Sequence, residues 1–267
     1  MKLSNKVVVI TGAGNGMGRE MTLEALRRGA SVFGVDLSDK ALSETAIAAG
    51  KGAKFAHAAV DITDRKAVAT LPALVEAAFG PADVLVNNAG IIQPFVKVNA
   101  LEFEAADRVM NVNFFGPFNM VKTFLPVLLK RPEAQIANVS SMGGYGPVPG
   151  QTVYGASKAA VKLLTEGLHS ELMNTNVKVT LIYPGAVGTD IASNSHVSID
   201  LPTGADAPAM KMTTAVDAGR IMIDGIESDK ARVFVGNDAK MMDLLVRLMP
   251  VKAAELIAKQ MAGLLKD

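Results

Sequence analysis

Residues 7–18 read VVVITGAGNGMG, a short apolar run that leads into a glycine-rich turn. The apolar run predicts a buried strand, and the apolar spacing after the turn predicts a helix over 17–28. Glycine lets the backbone turn tightly and approach a phosphate closely, and the N–H groups at the start of a helix favour an anion. This strand–turn–helix unit predicts an α/β fold that binds a nucleotide, with a purely structural glycine turn as the alternative.

The alternation of short apolar runs with amphipathic stretches continues along the chain. The predicted strands are 6–10, 31–36, 53–59, 83–87, 134–139, 177–182 and 232–235. The predicted helices after the first are 38–49, 63–79, 100–130, 152–174 and 213–226. Near-continuous apolar strands are typical of a parallel sheet buried on both faces. We therefore expect a single α/β domain over 1–267, a doubly wound Rossmann-like parallel sheet with helices on both faces in a three-layer α/β/α sandwich.

Two segments depart from this alternation. The segment 190–212 is rich in Ser, Pro, Ala and Gly without a clear period, and we expect it to be a substrate loop. The tail 239–267 is helical by pattern, with an interruption at Pro250. Three interpretations of this helical extension are open: packing on the core or on another subunit, a flap over the substrate entrance, and attachment to a membrane surface.

Composition argues against several classes of function. The 267 residues carry a formal net charge of +1 and no cysteine, so nothing favours nucleic-acid binding and thiol chemistry is excluded. The three histidines are far apart in sequence without ligand spacing, so we expect no metal site. No apolar run is long enough for a transmembrane segment, and the run at 7–10 is too short for a signal peptide. A cytoplasmic protein is therefore expected.

The glycine turn has the spacing T-G-x-x-x-G-x-G, because Met17 lies where a G-x-G-x-x-G motif has its third glycine. The residues expected to contact a dinucleotide there are Gly12, Asn15, Gly16, Met17 and Gly18.

Two carboxylates that follow strands are candidates for the adenosine end of a cofactor. Asp36 ends the second predicted strand, where it can accept hydrogen bonds from the ribose and repel a 2′-phosphate, so it predicts NAD in preference to NADP. The alternative role for Asp36 is a helix N-cap, for which Ser38 is available. Asp61 is expected either to contact the adenine amino group or to cap the turn before Thr63. The candidate residues at this end are Asp36, Leu37, Asp61 and Ile62.

Further polar residues follow the fourth and fifth predicted strands, with NNAG at 87–90 and then the pair Ser140–Ser141. Tyr154 and Lys158 are spaced i, i+4, so they share one face of the next helix. Doubly wound sheets bind ligands at the carboxyl ends of their strands. A free phenol titrates near ~10, and the ammonium of Lys158 is expected to lower the pKa of Tyr154 toward neutrality. Tyr154 is then a general acid or base, the alternative being an ordinary Tyr beside a Lys stem.

Together these motifs resemble the short-chain dehydrogenase/reductase family over essentially the whole chain. The matching residues are TGAGNGMG at 11–18, Asp36, Asp61, NNAG at 87–90, Asn113, Ser141, Tyr154, Lys158 and PGAVGT at 184–189. The resemblance implies a sheet of about seven parallel strands and a catalytic tetrad of Asn113, Ser141, Tyr154 and Lys158. It also implies that Asn113 lies at a helix irregularity and helps to hold a water in a proton relay through Lys158.

The resemblance implies further cofactor contacts and an oligomer. Lys158 would bind the nicotinamide ribose, while the backbone after Pro184 and the Thr189 hydroxyl would position the carboxamide. Helices 100–130 and 152–174 would pair across a two-fold axis in a homodimer or homotetramer. The further residues implied to contact the cofactor are Asn88, Ala89, Gly90, Tyr154, Gly185 and Val187.

The leading functional hypothesis is an NAD-dependent oxidoreductase that interconverts a secondary alcohol and a ketone. Ser141 would hold the substrate oxygen while Tyr154 acts as general acid or base. A mostly apolar small-molecule substrate is expected because the segment 190–212 carries one Lys and no Arg. The candidate substrate contacts are Ser141, Tyr145, Tyr154, Met210 and Met212. Two alternatives stay open: an NADPH-dependent carbonyl or 3-oxoacyl reductase, and a nucleotide-binding sensor without turnover.

Overall fold

A parallel β-sheet forms the centre of the protein. The computed structural model describes residues 1–189, 191–195, 197 and 212–261. The strands are β1 (Val7–Thr11), β2 (Ser31–Asp36), β3 (Phe55–Ala59), β4 (Val84–Asn87), β5 (Ala134–Val139), β6 (Val177–Pro184), β7 (Val187–Gly188), β8 (Thr213–Thr214) and β9 (Arg232–Val235). The main sheet has the order β3–β2–β1–β4–β5–β6–β9, with every neighbouring pair parallel, and β7 pairs with β8 separately. The predicted doubly wound sheet of seven parallel strands is confirmed.

Helices follow the strands in the predicted alternation. The α-helices are α1 (Gly16–Arg27), α2 (Asp39–Ala49), α3 (Arg65–Phe79), α4 (Phe103–Met110), α5 (Gly116–Leu128), α6 (Thr152–Glu171), α7 (Ile191–Asn194), α8 (Ala215–Glu227), α9 (Asn237–Leu248) and α10 (Pro250–Gln260). Short 3₁₀ turns lie at Val98–Ala100 and Met142–Gly144.

Separate sets of helices bury the two faces of the sheet. Along β1, Val8 and Ile10 pack with side chains of α1 and α8, whereas Val7 and Val9 pack with side chains of α3 and α5. Successive side chains of a strand point to opposite faces, so an unbroken apolar strand needs a layer of helices on each side. The three-layer prediction is confirmed, and it accounts for much of the 49% hydrophobic content.

The single helix predicted over 100–130 is wrong, because the chain forms two helices there. Between α4 and α5 the residues Asn111–Phe115 form a π turn, which contains one more residue per turn than an α-helix. Asn113 lies in this turn with its amide fully buried against the backbone of Ile91. The bulge directs a polar side chain inward at a point where an uninterrupted amphipathic pattern would require an apolar one.

The two irregular segments differ in how much of them the structure describes. The tail forms α9 and α10, and the predicted interruption at Pro250 is confirmed by the break between these helices. Residues 262–267 lie outside the described residues. Of the segment 190–212, the described part comprises 191–195, 197 and 212. Its expected role as a substrate loop therefore stays a prediction.

Candidate active site

The predicted site residues lie at one edge of the sheet, where the parallel strands end. The glycine turn follows β1, Asp36 ends β2, and Asn88 follows β4. Ser141 follows β5 and Pro184 ends β6. Since β1, β2, β4, β5 and β6 are all parallel, the sheet alone brings these five positions to a common edge.

The glycine turn has a shape that requires glycine at particular positions. Gly12 and Gly16 have φ of 69° and 50°, in the left-handed region that other residues rarely adopt. A Cβ on Gly18 would collide with the carbonyl oxygen of Gly12, so the start of α1 packs directly on the turn. Within the described residues, Asn15 at the N-cap makes no side-chain bond to the helix. The free N–H groups of the first turn of α1 are thus available to an anion.

The loop after β4 is attached to the end of β1 through Thr11. The Thr11 hydroxyl accepts hydrogen bonds from the N–H of Asn88 at 3.0 Å and of Ala89 at 3.1 Å. The Asn88 amide nitrogen donates to the Thr11 carbonyl at 3.0 Å. Its Oδ1 is buried and has no hydrogen-bond partner among the described residues. A buried acceptor beside the glycine turn fits a site for a polar ligand.

Asp36 faces the glycine turn. Its Oδ2 accepts a hydrogen bond from the N–H of Gly14 at 2.9 Å, and its Oδ1 accepts one from the N–H of Ser38 at 3.1 Å. Ser38 caps α2 by accepting from the N–H of Ala41, which leaves Asp36 for another role. The next residue, Leu37, is exposed. The carboxylate thus lies between the turn and the solvent, at the edge where an adenosine ribose is expected.

The cation nearest to the turn in sequence is already engaged. Arg19 donates from Nε to the carbonyl of Gly14 at 2.9 Å and from Nη2 to Glu44 at 3.1 Å. Its guanidinium therefore supports the turn and pairs with α2.

Asp61 and Ile62 play local roles after β3. The Oδ1 of Asp61 accepts a hydrogen bond from the N–H of Thr63 at 2.8 Å, which is the turn-capping alternative. Ile62 is buried and lies against Gly116, where a Cβ would collide with it. The proposed contact of Asp61 with adenine stays a prediction.

Tyr154 and Lys158 lie on α6 with their functional groups near Ser141 and Gly90. The side chains of Tyr154 and Ser141 meet at Gly143, where an added Cβ would lie 3.4 Å from the Tyr154 Cε1 and 3.5 Å from the Ser141 Oγ. The Nζ of Lys158 lies 6.0 Å from the centre of the Tyr154 ring and donates to the carbonyl of Val139 at 3.1 Å. A Cβ on Gly90 would be 3.0 Å from this Nζ, so glycine leaves room for the ammonium. The same Cβ position would be 3.3 Å from the Oδ1 of Asn113, so the structure brings together all four residues implied as a tetrad.

Burial changes the acidity of both groups. Burial lowers the pKa of Lys158 to about 8, since a buried ammonium is poorly solvated. Burial raises the pKa of Tyr154, and the hydrogen bond from Ser141 lowers it by less. The expectation that Lys158 brings the pKa of Tyr154 below its ordinary value is therefore wrong for the protein alone. The reason is that desolvation of the phenolate outweighs the stabilising contacts.

Asn113 connects the loop after β4 to α6. Its amide oxygen accepts from the N–H of Ile91 at 2.8 Å, and its amide nitrogen donates to the Ile91 carbonyl at 2.9 Å. The nitrogen also donates to the hydroxyl of Ser157 at 3.0 Å, and Ser157 donates to the carbonyl of Tyr154. The implied position of Asn113 at a helix irregularity is observed, and its amide is fixed on three sides.

The turn after β6 is held by a residue that sequence reasoning missed. Asp238, in the first turn of α9, accepts a hydrogen bond from the N–H of Ala186 at 2.6 Å. Its carboxylate occupies the space where a Cβ on Gly185 would lie. No local pattern signals this contact, because its two residues are 52 positions apart.

Thr189 lies across the site beside the glycine turn, 3.4 Å from the position of a Cβ on Gly16. Val187 packs against the buried cluster that contains side chains of β1, α1 and α8.

The candidate substrate contacts are less well supported by the structure. The Tyr145 hydroxyl donates to the carbonyl of Ala239 at 2.6 Å, and its ring packs on Tyr183 with centroids 5.1 Å apart. Tyr145 therefore attaches the loop after β5 to α9, and its contact with a substrate stays a prediction. Met212 is exposed, and Met210 lies outside the described residues.

Within the ranges that the structure describes, no group of three or more His, Asp or Glu side chains is placed to hold a metal ion. No helix in the same ranges is long and apolar enough to cross a membrane.

A parallel doubly wound sheet with a glycine turn and a Ser–Tyr–Lys cluster at its carboxyl edge defines a class of nucleotide-dependent oxidoreductase. The comparisons with known proteins agree. The family described as short chain dehydrogenase matches residues 6–198. A Mycobacterium tuberculosis protein named as an oxidoreductase, SadH, is 34% identical over 96% of this chain and 95% of its own length.

Two other relatives extend the comparison. The Thermotoga maritima 3-oxoacyl-[acyl-carrier-protein] reductase FabG is 38% identical over 71% of this chain and 77% of its own. A Burkholderia phymatum short-chain dehydrogenase/reductase, solved with NAD, superposes with a TM-score of 0.85 and 25% identity over 94% of this chain and 96% of that one. The chain belongs to the short-chain dehydrogenase/reductase family, whose members are oxidoreductases that use NAD or NADP.

Proposed function

We propose that this protein transfers a hydride between NAD(H) and a secondary alcohol or ketone, with Tyr154 as the general acid or base. The observation that carries the proposal is that three side chains meet in one place. A Cβ on Gly143 would lie 3.4 Å from the Tyr154 Cε1 and 3.5 Å from the Ser141 Oγ, and the Lys158 Nζ lies 6.0 Å from the centre of the Tyr154 ring. This cluster lies at the same sheet edge as the glycine turn.

The residues at this edge fit a nicotinamide dinucleotide. The glycine turn packs directly on the start of α1, where a Cβ on Gly18 would collide with the Gly12 carbonyl, and Asn88 leaves a buried acceptor beside it. Asp36 would hold the adenosine ribose, Lys158 the nicotinamide ribose, and Thr189 with the backbone after Pro184 the carboxamide. When bound, the dinucleotide supplies or accepts the hydride.

The preference for NAD over NADP rests on charge. The carboxylate of Asp36 would repel a 2′-phosphate. Arg19, which could offset that repulsion, is engaged with the Gly14 carbonyl and with Glu44. Turning Arg19 toward a phosphate would break both contacts.

The residues of the chain divide the proton chemistry between them. In alcohol oxidation, the ionised oxygen of Tyr154 accepts the hydroxyl proton as the hydride leaves the carbinol carbon; in ketone reduction, the phenol returns that proton to the oxygen. Ser141 accepts from the N–H of Gly143 at 3.1 Å, which fixes its hydroxyl to orient the substrate oxygen. The ammonium of Lys158 favours the ionised form of Tyr154. Asn113 holds the loop at Ile91. We also propose that Asn113 helps to hold a water molecule in a proton relay through Lys158.

The second candidate is an NADPH-dependent 3-oxoacyl reductase. It is favoured by the 38% identity to the Thermotoga maritima protein of that name. The sequence of the segment 190–212 offers Ile199 and Leu201 but no arginine for an anionic substrate, which favours a small apolar alcohol or ketone instead.

We also infer that 1–267 forms one domain and associates as a homodimer or homotetramer. The support is apolar exposure on helices that pack side by side: Phe103 on α4 is 84% exposed and Leu163 on α6 is 69% exposed. Contiguous exposed apolar patches often mark interaction sites, and exposure on neighbouring helices is what such an interface would need.

The decisive experiment follows absorbance at the reduced-nicotinamide band over a panel of secondary alcohols and ketones, with both cofactors. We expect turnover with NAD(H), and a loss of roughly 10²- to 10⁴-fold in kcat for Tyr154→Phe. Retained turnover in this variant would exclude Tyr154 as the acid or base. A clear preference for NADPH would favour the reductase alternative, and cofactor binding without any turnover would favour a sensor.

A further inference from the structure

The loop after β4 crosses the N-terminal end of α6 at Gln93, whose side chain is fully buried. Its amide oxygen accepts hydrogen bonds from the N–H of Val153 at 2.8 Å and of Tyr154 at 2.9 Å. Its amide nitrogen donates to the carbonyl of Gly150 at 3.0 Å. One side chain therefore bonds both the first turn of α6 and the segment that leads into it.

The segment before α6 also donates a hydrogen bond back to the loop that carries Gln93. The side-chain nitrogen of Gln151 donates to the backbone carbonyl of Gln93 at 2.7 Å. Gln151 occupies the N-cap position of α6, yet within the described residues its side chain makes no bond to the helix. The first N–H groups of a helix lack partners inside the helix. Gln93 satisfies two of them from a loop about 60 residues earlier.

We propose that Gln93 is a positioning residue for Tyr154: by capping the first turn of α6, it sets where the phenol lies relative to Ser141 and Lys158. The inference rests on the role of Tyr154 proposed above. Tyr154 is the third residue of α6, in the turn that frays most readily without a cap. Lys158 lies one turn further in and is fixed separately by its bond to Val139. Loss of the cap would therefore move the phenol of Tyr154 and leave the ammonium of Lys158 in place.

The neutrality of the amide matters as much as its hydrogen bonds. A glutamate at this position would also accept from both N–H groups, and its charge would favour the helix end. The same negative charge beside Tyr154 would oppose ionisation of the phenol. Glutamine gives the cap without that charge, which suits a side chain that must ionise during the reaction.

The experiment compares wild type, Gln93→Met and Gln93→Glu in steady-state kinetics and in amide hydrogen exchange over 152–155. Methionine keeps the volume but neither accepts nor donates at these atoms, so we expect kcat to fall roughly 10- to 100-fold. KM for NAD should stay within about twofold, because the glycine turn and Asp36 are untouched. Exchange at Val153 and Tyr154 should be at least about tenfold faster.

Gln93→Glu tests whether position 93 acts on the Tyr154 phenol. Its carboxylate accepts both N–H groups but places an acceptor against the Gly150 carbonyl to which the amide nitrogen donates, so exchange at Val153 and Tyr154 should be slower than in Gln93→Met and faster than in wild type. Gln93→Glu should also move the acid limb of the kcat profile for alcohol oxidation upward by about one pH unit. This pH shift would show that position 93 lies close enough to act on the Tyr154 phenol. The fall in kcat without a change in KM for NAD in Gln93→Met separates positioning from support of the fold, since a general loss of folded structure would weaken NAD binding as well.

Gln135→Met is the matched control. Gln135 is also fully buried, and it donates to Thr180 on the neighbouring strand, away from the start of α6. We expect this control to keep the kcat of wild type. Equal losses in Gln135→Met and Gln93→Met, a wild-type kcat in Gln93→Met, or unchanged exchange would each overturn the inference. A wild-type enzyme without turnover on any substrate would instead overturn the proposed function, and the positioning role with it.

Discussion

Tyr154 and Lys158 are both buried, and burial acts on them in opposite directions. It raises the pKa of the phenol and lowers the pKa of the ammonium to about 8. Near neutral pH the protein alone therefore holds Tyr154 neutral and Lys158 charged. Tyr154 can act as a base near neutral pH only if the site also stabilises its phenolate. Ser141 contributes through its hydrogen bond, and a cationic nicotinamide ring would act in the same direction.

Replacement of Lys158 by methionine should change stability in a pH-dependent way. An unfolded lysine titrates near 10.5 and Lys158 near 8, so the unfolded state binds more protons between these values. The burial penalty is largest below pH 8 and disappears above about 10.5. We expect Lys158→Met to be more stable than wild type at pH 7, by up to about 3 kcal/mol, with the difference shrinking toward pH 10.

Urea denaturation at pH 7, 8.5 and 10 measures this difference. Lys162→Met is the control, because Lys162 lies one turn further along α6, is only partly buried and pairs with Glu166 at 2.8 Å. Its stability difference from wild type should not shrink between pH 7 and pH 10. A pH-independent difference for Lys158→Met would contradict the prediction.

At the scale of elements, close packing of helices depends on glycines whose neighbours are backbone atoms. Gly219 on α8 is buried against α1, and a Cβ there would be 2.9 Å from the carbonyl carbon of Glu20 and 3.0 Å from the nitrogen of Met21. The backbone of a helix cannot yield as a flexible side chain can. This contact sets the distance between α1 and α8, and hence the position of the glycine turn that precedes α1.

Gly219→Ala should therefore destabilise the protein, although alanine favours helices. We expect a loss of about 1–2 kcal/mol, since overpacking costs more than the propensity gain. Gly167→Ala on α6 is the matched control, because nothing lies within 4 Å of the added Cβ. That variant should gain up to about 1 kcal/mol. Thermal unfolding of both variants measures the difference, and shifts of the same sign would contradict it.

At the scale of the whole molecule, the distribution of apolar surface argues for self-association. The exposed large apolar side chains of the α4–α6 region are Phe103, Phe115, Phe118, Leu129, Leu163 and Met173. An exposed set of this size is energetically costly in an isolated chain and favourable in an interface. The oligomer would also brace α6, the helix that carries Tyr154 and Lys158.

Leu163→Lys tests the interface. It should raise the dissociation constant of the oligomer roughly 10- to 100-fold, since burying a leucine contributes about 1.5–3 kcal/mol. Sedimentation equilibrium over a range of concentrations measures it. Ile47→Lys is the control, because Ile47 is 80% exposed on α2, outside the α4–α6 region. A wild-type chain that stays monomeric at every concentration would refute the association.

The sequence by itself determined the sheet, its alternation with helices and the glycine turn, because each depends on apolar period or on backbone freedom over a few consecutive residues. It also indicated Asp36, Ser141, Tyr154 and Lys158, since motif spacing is local. The family resemblance implied a helix irregularity at Asn113. Only the tertiary structure decided the contacts of Asn113 with Ile91, the cap from Gln93 and the hydrogen bond from Ala186 to Asp238 after β6. Those contacts join residues 22 to 61 positions apart, where hydrogen-bond partners meet only after the strands pair. The tertiary structure also decided the pKa shifts of Tyr154 and Lys158, because burial is a property of the folded chain.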